Sequence, residues 1–276
     1  MSSQRHSESS QNPLLIQATR NLIERLQEKE ANDPVLLAQR AGIVPDPWQA
    51  NVLRSRAHEI ILLVTRQGGK SSISAIRGLH KAIYTPGSLV LLLAPAYRQS
   101  KELFRKIRAA YEALHSPVRL KIESSLEMEF INGSRIVALP GKEETIRGFS
   151  GVALLIVDEA ARVSDNLYQS IRPMLAVSGG EILLLSTPFG KRGFFFEVWN
   201  SGGASWQKTK VTAYDCPRIS RAWLEQERNQ IGDFWFEQEY LCEFKDDVSA
   251  VFRYEDIQNA MVDTIEPQWS IADALR

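Results

Sequence analysis

One stretch of this sequence has the residue types and spacing needed for phosphate chemistry. It directly follows an apolar run and reads Thr65-Arg66-Gln67-Gly68-Gly69-Lys70-Ser71-Ser72. Glycines let backbone amides face a phosphate, and the N-terminus of a following helix adds positive potential. In such a loop Lys70 would reach the β- and γ-phosphates of a nucleotide, and Ser71 would ligate Mg²⁺. Val64 stands where such loops usually begin with glycine, so a tight strand-to-helix turn with a surface lysine is the alternative.

Two adjacent carboxylates, Asp158 and Glu159, follow a second apolar run, Leu154-Leu155-Ile156-Val157. The sheets of α/β proteins bind ligands at the carboxyl ends of buried strands. Asp158 could hold the magnesium shell there, and Glu159 could polarise an attacking water molecule. The competing interpretation is a helix N-terminus whose acids complement the helix dipole. Because the glycine loop and the acid pair occur together and in this order, the sequence favours a nucleotide site.

A third apolar run, Leu183-Leu184-Leu185, ends in two small hydroxyl residues, Ser186 and Thr187. A polar side chain at this position could sense the γ-phosphate of ATP and relay its loss. The alternative is that Ser186, Thr187 and Pro188 only cap a strand and form a turn.

The elements that must position these residues are predicted from the apolar pattern. Runs of Val, Ile and Leu without polar alternation suit strands that are buried on both faces, as in a parallel sheet covered by helices. Such runs recur at Glu59–Thr65, Ser88–Ala94, Val152–Val157 and Glu181–Ser186. Helical patterns lie between them at Lys70–Tyr84, Tyr97–Leu114 and Asp165–Leu175. This alternation predicts an α/β fold with a doubly wound, mainly parallel sheet.

Other segments depart from the simple alternation. Asn132-Gly133, the favoured hairpin turn, separates predicted strands at Glu127–Ile131 and Arg135–Leu139. A further strand is predicted at Trp206–Thr212. Helices are predicted at Pro13–Glu30, at Pro34–Arg40, from about Trp48 onward, and beyond Ser220. We therefore expect a disordered lead-in over residues 1–12, an ATPase domain with N-terminal helices over 13–212, and a helical tail over 213–276.

Composition restricts the class of protein further. The hydrophobic fraction of 44% and the charged fraction of 24% are ordinary for a globular protein, and the formal net charge is zero. Cys216 and Cys242 form no metal-spaced cluster, which favours a reducing cytoplasm. The longest apolar runs, such as Ile60–Val64 and Leu89–Ala94, are too short to span a bilayer, so we expect no membrane partner.

Basic residues fall at helical spacing within Tyr97–Leu114, with apolar residues on the opposite face. The basic positions are Arg98, Lys101, Arg105 and Arg108. This stripe could follow DNA phosphates or meet an acidic neighbouring subunit, and a merely solvated face is the alternative.

Taken together, these motifs resemble the ATPase domain of the large terminase subunit of tailed bacteriophages. The resemblance covers roughly Asp46 to Thr212, and the ordered set of motifs is more specific than any one of them. The matching segments are Pro47-Trp48-Gln49, Thr65-Arg66-Gln67-Gly68-Gly69-Lys70-Ser71, Ala94-Pro95-Ala96-Tyr97-Arg98-Gln99-Ser100, Ile146-Arg147-Gly148, Val157-Asp158-Glu159-Ala160 and Ser186-Thr187-Pro188.

The resemblance implies a RecA/ASCE-like P-loop NTPase fold, a three-layer sandwich with helical extensions at both ends. It also implies an ATP- and Mg²⁺-dependent motor that pumps double-stranded DNA into a procapsid. Such a motor is a homo-oligomeric ring in the bacterial host cytoplasm and works with a portal and a small terminase subunit.

The resemblance also implies roles for single residues. Gln49 would read the adenine base, and Arg66 in the phosphate loop would steady the γ-phosphate. Arg147 would reach the γ-phosphate of a neighbouring subunit; an ordinary surface arginine is the alternative. With Lys70 and Glu159, these two arginines form the predicted catalytic set. The other predicted nucleotide ligands are Gln67, Gly68, Gly69, Ser71, Ser72, Asp158, Ser186 and Thr187.

The family usually carries a C-terminal nuclease as well. About sixty residues follow Thr212, too few for such a domain, so we expect no nuclease activity in this chain. Two other hypotheses stay open. One is a helicase-like DNA translocase, and the other is a non-catalytic, nucleotide-gated assembly protein from a decayed prophage.

Overall fold

The protein is described by a computed structural model that covers residues 13–140 and 148–246. These residues form an eight-stranded sheet in the order β3-β4-β5-β2-β6-β7-β1-β8. The strands are β1 (Glu59–Val64), β2 (Leu89–Ala94), β3 (Leu120–Glu123), β4 (Glu127–Phe130), β5 (Arg135–Pro140), β6 (Val152–Asp158), β7 (Glu181–Ser186) and β8 (Trp206–Val211). In the sheet order, the six strands β5-β2-β6-β7-β1-β8 pair in parallel with their neighbours. The pairs β3–β4 and β4–β5 are antiparallel.

Helices cover both faces of this sheet. They are α1 (Pro13–Asn32), α2 (Pro34–Arg40), α3 (Pro47–Arg54), α4 (Lys70–Tyr84), α5 (Tyr97–Ala113), α6 (Asp165–Ile171), α7 (Gly193–Ser201) and α8 (Arg221–Glu239). Short 3-10 turns lie at Ala160–Arg162, Arg172–Leu175 and Ala213–Asp215. Helix α8 is kinked at Gly232, where φ is +77°.

The central strands are buried on both faces, and this explains their unbroken apolar sequence. In β1, Ile60 and Leu62 pack into the cluster formed with α2, α3, α4 and α5. The intervening Ile61 and Leu63 pack into the cluster formed with α6 and α7. The result is helix, sheet and helix in three layers, so the predicted α/β three-layer fold with a mainly parallel sheet is confirmed.

Two elements escaped the sequence analysis. Strand β3 is a four-residue, largely exposed edge strand, and its alternation of apolar and polar residues is too short to stand out in the sequence. Helix α7 begins at Gly193 and continues with Phe194-Phe195-Phe196, and such an aromatic run has no helical period. The predicted hairpin is present, because the Asn132 and Gly133 turn joins β4 to β5.

The described part of the predicted tail folds back onto the sheet domain. Phe236 of α8 is fully buried in a small cluster with Ala213 and Leu224. The backbone N–H of Ala213 donates to the carbonyl of Tyr240 at 2.8 Å. Helix α8 therefore lies against the domain beside the glycine loop. Residues 1–12 and 247–276 lie outside the described residues, so the predicted lead-in and domain boundary stay predictions.

Both cysteines, Cys216 and Cys242, are free and buried. Within the described ranges, no helix is long and apolar enough to cross a membrane.

Candidate functional site

The glycine loop joins the end of β1 to the start of α4. Gly69 is the N-cap of α4 with φ +90°, a conformation that L side chains rarely adopt. A Cβ at Gly69 would lie 2.5 Å from Nε2 of Gln49, and one at Gly68 would lie 2.6 Å from Cγ1 of Val64. Val64, which replaces the usual first glycine, therefore occupies the space that a side chain at position 68 would need. For this reason only glycine fits at position 68. The loop keeps a tight turn in spite of the replacement.

Lys70 is the first residue of α4, and it is 7% exposed. Its Nζ lies 3.6 Å from Oε1 of Glu159. A buried ammonium group at the N-terminus of a helix is costly unless an anion faces it. Within the described residues this anion is the Glu159 carboxylate, and a phosphate placed on the loop would supply the same charge.

Ser71 and Asp158 bring two hard oxygen ligands together. The Ser71 hydroxyl donates to Oδ2 of Asp158 at 3.3 Å, although the two residues are on different elements. Burial, with the neighbouring charge of Glu159, raises the pKa of Asp158. A divalent cation beside this carboxylate would offset its loss of hydration. No group of three or more His, Cys, Asp or Glu side chains that could hold a metal ion occurs in the parts of the chain described. Proteins usually bind Mg²⁺ through only one or two carboxylates, because the ion keeps several waters and also uses substrate phosphates.

Glu159 is held in a strained backbone conformation at the end of β6, with φ +50°. Its N–H donates to Oδ1 of Asp158 at 3.0 Å, so the two carboxylates diverge from one turn. Left-handed backbone at a residue other than glycine concentrates at functional sites. Gln67 of the glycine loop has the same feature, with φ +58°.

Ser186 and Thr187 lie at the end of β7, between the loop strand and the acid strand. Both are buried, and Oγ of Ser186 has no hydrogen-bond partner among the described residues. Oγ1 of Thr187 accepts a 3.4 Å hydrogen bond from Arg162. The structure thus places the two hydroxyls beside the acid pair, where the sequence analysis expected a γ-phosphate sensor.

Gln49 is buried and uses both ends of its amide within the protein. Oε1 accepts from the N–H of Asp46 at 2.8 Å, and Nε2 donates to the carbonyl of Gly68 at 3.3 Å. In this structure Gln49 therefore ties α3 to the glycine loop. Its predicted contact with the adenine base stays a prediction.

Arg66 turns toward helix α8. Its Nε lies 2.6 Å from Oε2 of Glu239, and the hydroxyl of Thr65 donates to the carbonyl of Glu239 at 3.0 Å. The second predicted arginine, Arg147, lies outside the described residues.

The loop faces an open cleft of about 680 Å³. Its lining includes seven predicted site residues. Glu159 comes directly after β6, and the other six come from the glycine loop and the start of α4: Arg66, Gln67, Gly69, Lys70, Ser71 and Ser72. The lining also includes residues that the sequence analysis did not single out for the site: Gln99, Lys106, Arg162, Arg218 and Ile219. Of these, Arg218 binds both oxygens of Asp46 at 2.8 Å and the carbonyl of Gly68 at 3.3 Å.

Helix α5 contributes to the cleft through a face other than its basic stripe. Arg105 pairs with Glu102 at 2.8 Å, and Arg108 pairs with Glu123 at 2.9 Å. Lys106, which falls outside the stripe, is the basic residue of α5 that lines the cleft. The helical spacing of the stripe marks one exposed face of α5. Lys106 lies outside that spacing, so the sequence pattern gave no indication that it reaches the cleft.

The fold and the site together define a class. A glycine loop follows β1, an acid pair ends β6, and polar side chains end the intervening strand β7. This arrangement is that of a P-loop NTPase of the ASCE type.

Comparison with known proteins gives the family within this class. Residues 61–259 match the family described as "Terminase large subunit, T4likevirus-type, N-terminal". This match covers well over half of the sequence, and the chain belongs to that family.

Curated relatives agree with the family match. The chain is similar to "Terminase, large subunit" of Thermus phage G20c, with 26% identity over 248 residues, covering 76% of this chain and 51% of the relative. It is 28% identical over 222 residues to "Terminase, large subunit" of Escherichia phage T5, covering 76% of this chain and 50% of that one. The chain thus spans about half the length of the curated relatives that it matches.

Solved structures share the fold. The large terminase ATPase domain of Thermus phage P74-26 superposes with a TM-score of 0.68 at 22% identity, covering 75% of this chain and 97% of that one. The large terminase of a thermophilic bacteriophage, solved in complex with ADP, has a TM-score of 0.61 at 13% identity, covering 72% and 54%.

Proposed function

We propose that this chain hydrolyses Mg²⁺-ATP and that the released energy drives double-stranded DNA into a viral procapsid. The observation that carries the proposal is that Lys70, Ser71 and Glu159 line one cleft, where Ser71 donates a hydrogen bond to the buried Asp158. Those four side chains are a phosphate-binding cation, two magnesium ligands and a carboxylate base. Their residue types and their mutual distances match phosphoryl transfer to water.

Each residue has a defined part in this reaction. Lys70, with the backbone amides of the glycine loop, binds the β- and γ-phosphates. Ser71 and Asp158 hold Mg²⁺, which, when bound, neutralises charge on the phosphate oxygens. Glu159 accepts a hydrogen bond from the attacking water and polarises it toward the γ-phosphorus. Arg66 leaves Glu239 and donates to the γ-phosphate. Ser186 and Thr187 sense the γ-phosphate and respond when it is lost.

Related structures support nucleotide binding. The thermophilic bacteriophage terminase that was solved with ADP has also been solved with ATP-gamma-S, the latter superposing with a TM-score of 0.54. We propose that ATP occupies the equivalent cleft here, with its base near Gln49 and its phosphates on the glycine loop. The unpartnered Ser186 hydroxyl is suited to a γ-phosphate oxygen or to the attacking water.

Membership of the family also supports a proposal about the assembly. We propose a homo-oligomeric ring in the bacterial host cytoplasm that works with a portal and a small terminase subunit. In this ring Arg147 enters the site of the neighbouring subunit. A trans-acting arginine of this kind is worth about 10³–10⁵ in rate in other phosphoryl-transfer systems.

The test is steady-state ATP hydrolysis by the purified chain, with and without double-stranded DNA, in the wild type and in Glu159→Gln. We expect turnover that DNA increases, and a loss of about 10²–10⁴-fold in kcat on removal of the carboxylate base. Exposed Glu197→Gln, on α7, is the matched control and should leave kcat unchanged. Lys70→Ala should abolish ATP binding, measured by calorimetry.

Two outcomes would contradict the proposal. Tight ATP binding without turnover, even with DNA and partner subunits, would favour a nucleotide-gated assembly protein. Unwinding of duplex DNA by the isolated chain would instead favour the helicase-like alternative.

A further inference from the structure

Arg162 contacts the residue that is proposed to activate water. It ends the 3-10 turn that follows β6, three residues after Glu159. Its Nη1 donates to Oε2 of Glu159 at 3.0 Å. The same nitrogen donates to Oγ1 of Thr187 at 3.4 Å, so one guanidinium joins the ends of the neighbouring strands β6 and β7.

We propose that Arg162 is a positioning residue that fixes the Glu159 carboxylate for water activation. This inference rests on the proposed ATP hydrolysis and assigns a role that the motifs did not reveal.

The guanidinium is itself held from several sides, so it can impose an orientation on Glu159. Its carbon lies 4.7 Å from the centre of the Phe189 ring, and Nη2 lies 3.8 Å from Oε1 of Glu239. The turn fixes its backbone, because the N–H of Arg162 donates to the carbonyl of Glu159 at 2.9 Å. Arg162 therefore meets Glu159, Thr187, Phe189 and Glu239 with one planar group. A lysine has a single flexible ammonium group and cannot make all of these contacts at once.

Glu159 needs this restraint because two cations compete for it. Lys70 lies 3.6 Å from Oε1, whereas Arg162 holds Oε2 at the shorter distance of 3.0 Å. Lys70 must turn to the phosphates when ATP binds, and a carboxylate held only by Lys70 would be drawn toward the phosphates with it. Held by Arg162, Glu159 keeps one oxygen anchored while the other faces the water. A shift of about 1 Å in a reacting group can cost about 100-fold in rate.

The side chains of Arg162 and Glu159 are each about one quarter exposed, at 25% and 24%. This pair therefore contributes little to the stability of the fold, and its role is to orient the carboxylate. The role predicts an effect on kcat and none on ATP affinity.

The experiment compares the wild type, Arg162→Ala and Arg162→Lys, each with and without Glu159→Gln, in steady-state ATP hydrolysis. We expect Arg162→Ala to lower kcat about 10- to 100-fold while KM for ATP changes less than about twofold. Arg162→Lys should recover part of the loss, because an ammonium group can still donate to Glu159. In the Glu159→Gln background Arg162→Ala should cause no further loss, because a positioning residue acts only through the group that it positions.

Arg192→Ala is the matched control, since Arg192 also lies over the Phe189 ring, at 4.9 Å. It should leave kcat within about twofold of the wild type, and thermal unfolding of each variant should show a folded protein. If Arg162→Ala misfolds, the test uses Arg162→Lys alone, with and without Glu159→Gln. A loss of kcat that disappears in the Glu159→Gln background again supports the positioning role.

The inference is overturned if both Arg162 variants keep the wild-type kcat, or if their losses add fully to that of Glu159→Gln. Those results leave the proposed function intact. Absence of turnover in the wild type, even with DNA and partner subunits present, overturns the proposed function and this inference with it.

Discussion

Glu239→Gln should strengthen the binding of ATP but not that of ADP. Glu239 of α8 holds Arg66 of the glycine loop at 2.6 Å in this structure. If Arg66 is to donate to a γ-phosphate, it must first leave this carboxylate. Breaking the Arg66–Glu239 pair therefore costs free energy when ATP binds, and this cost weakens the binding of ATP to the wild type. ADP lacks the γ-phosphate, so its binding leaves the pair in place.

The size of the effect follows from the exposure of the pair. The side chain of Arg66 is 59% exposed, whereas that of Glu239 is 14% exposed. Half-exposed ion pairs contribute about 0.2–1 kcal/mol, because water screens the charges. Glutamine keeps the size of the side chain and the backbone carbonyl that accepts from Thr65. The charge change alone should therefore tighten ATP binding by about 1.4- to 5-fold.

The assay is equilibrium titration with a non-hydrolysed ATP analogue and with ADP, at two salt concentrations. The ratio of the two dissociation constants should shift in favour of the ATP analogue, and the shift should shrink at high salt. Glu237→Gln on the same helix is the matched control, since Glu237 pairs with Lys245 instead of Arg66. An equal gain for ATP and ADP, or no gain for either, would refute the reasoning.

Two further predictions concern the framework of the site. Glu181 begins β7 and pairs with buried Arg77 at 2.7 Å and with Lys81 at 2.6 Å. Glu181→Gln leaves the Arg77 charge with carbonyl acceptors only, so urea unfolding should show a loss of about 2–3 kcal/mol in the free energy of unfolding. Burial lowers the pKa of His80, and the nearby charges of Arg77 and Lys81 act in the same direction. As the pH falls, His80 therefore takes up its proton at a lower pH in the folded state than in the unfolded chain. Because the unfolded chain then binds more protons, the free energy of unfolding should decrease as pH drops below about 6.5, by at most about 1.4 kcal/mol per pH unit. His80→Gln should remove that slope from thermal unfolding curves.

Each of these predictions has a matched control. Glu197→Gln changes an exposed glutamate and should alter the unfolding free energy by less than about 0.5 kcal/mol. His58→Gln changes an exposed histidine, and the comparison with His80→Gln isolates the effect of burial. A Glu181→Gln protein as stable as the wild type would show that the carbonyls of Val52 and Ser55 are sufficient for Arg77. An unchanged pH slope in His80→Gln would assign the slope to other groups.

The sequence predicted the parts of this molecule whose pattern has a single physical cause. Strands such as β1 and β7 are buried on both faces, so they are apolar throughout and their bounds were found almost to the residue. The glycine loop and the acid pair stood out because few residue types suit a phosphate or a magnesium ion, so their pattern is distinctive in a sequence. Each of these signals lies within a short stretch of sequence, so it can be recognised without knowledge of the fold.

The contacts of the site could not be predicted in the same way. Glu239 meets Arg66 across 173 positions of the chain, and no periodicity connects them. Arg162 looks like an ordinary charged residue until β6 and β7 are placed side by side. Gln49 was assigned to the base on its motif, but its observed partners are the backbone of Asp46 and of Gly68. Which partner a polar side chain chooses depends on tertiary packing, and a single sequence does not contain that information.

The position of β1 in the sheet has a consequence for how the protein is made. On the ribosome, Glu59–Val64 emerges early, but its neighbours Glu181–Ser186 and Trp206–Val211 emerge more than one hundred residues later. Until then this apolar strand has two open edges, and pairing it must close long loops, which slows folding and exposes the nascent chain to aggregation. The loop that is built on this strand is therefore synthesised well before the strands that hold it in place. A nascent chain that stops before residue 206 would carry every residue of the phosphate motif without the second edge that supports it.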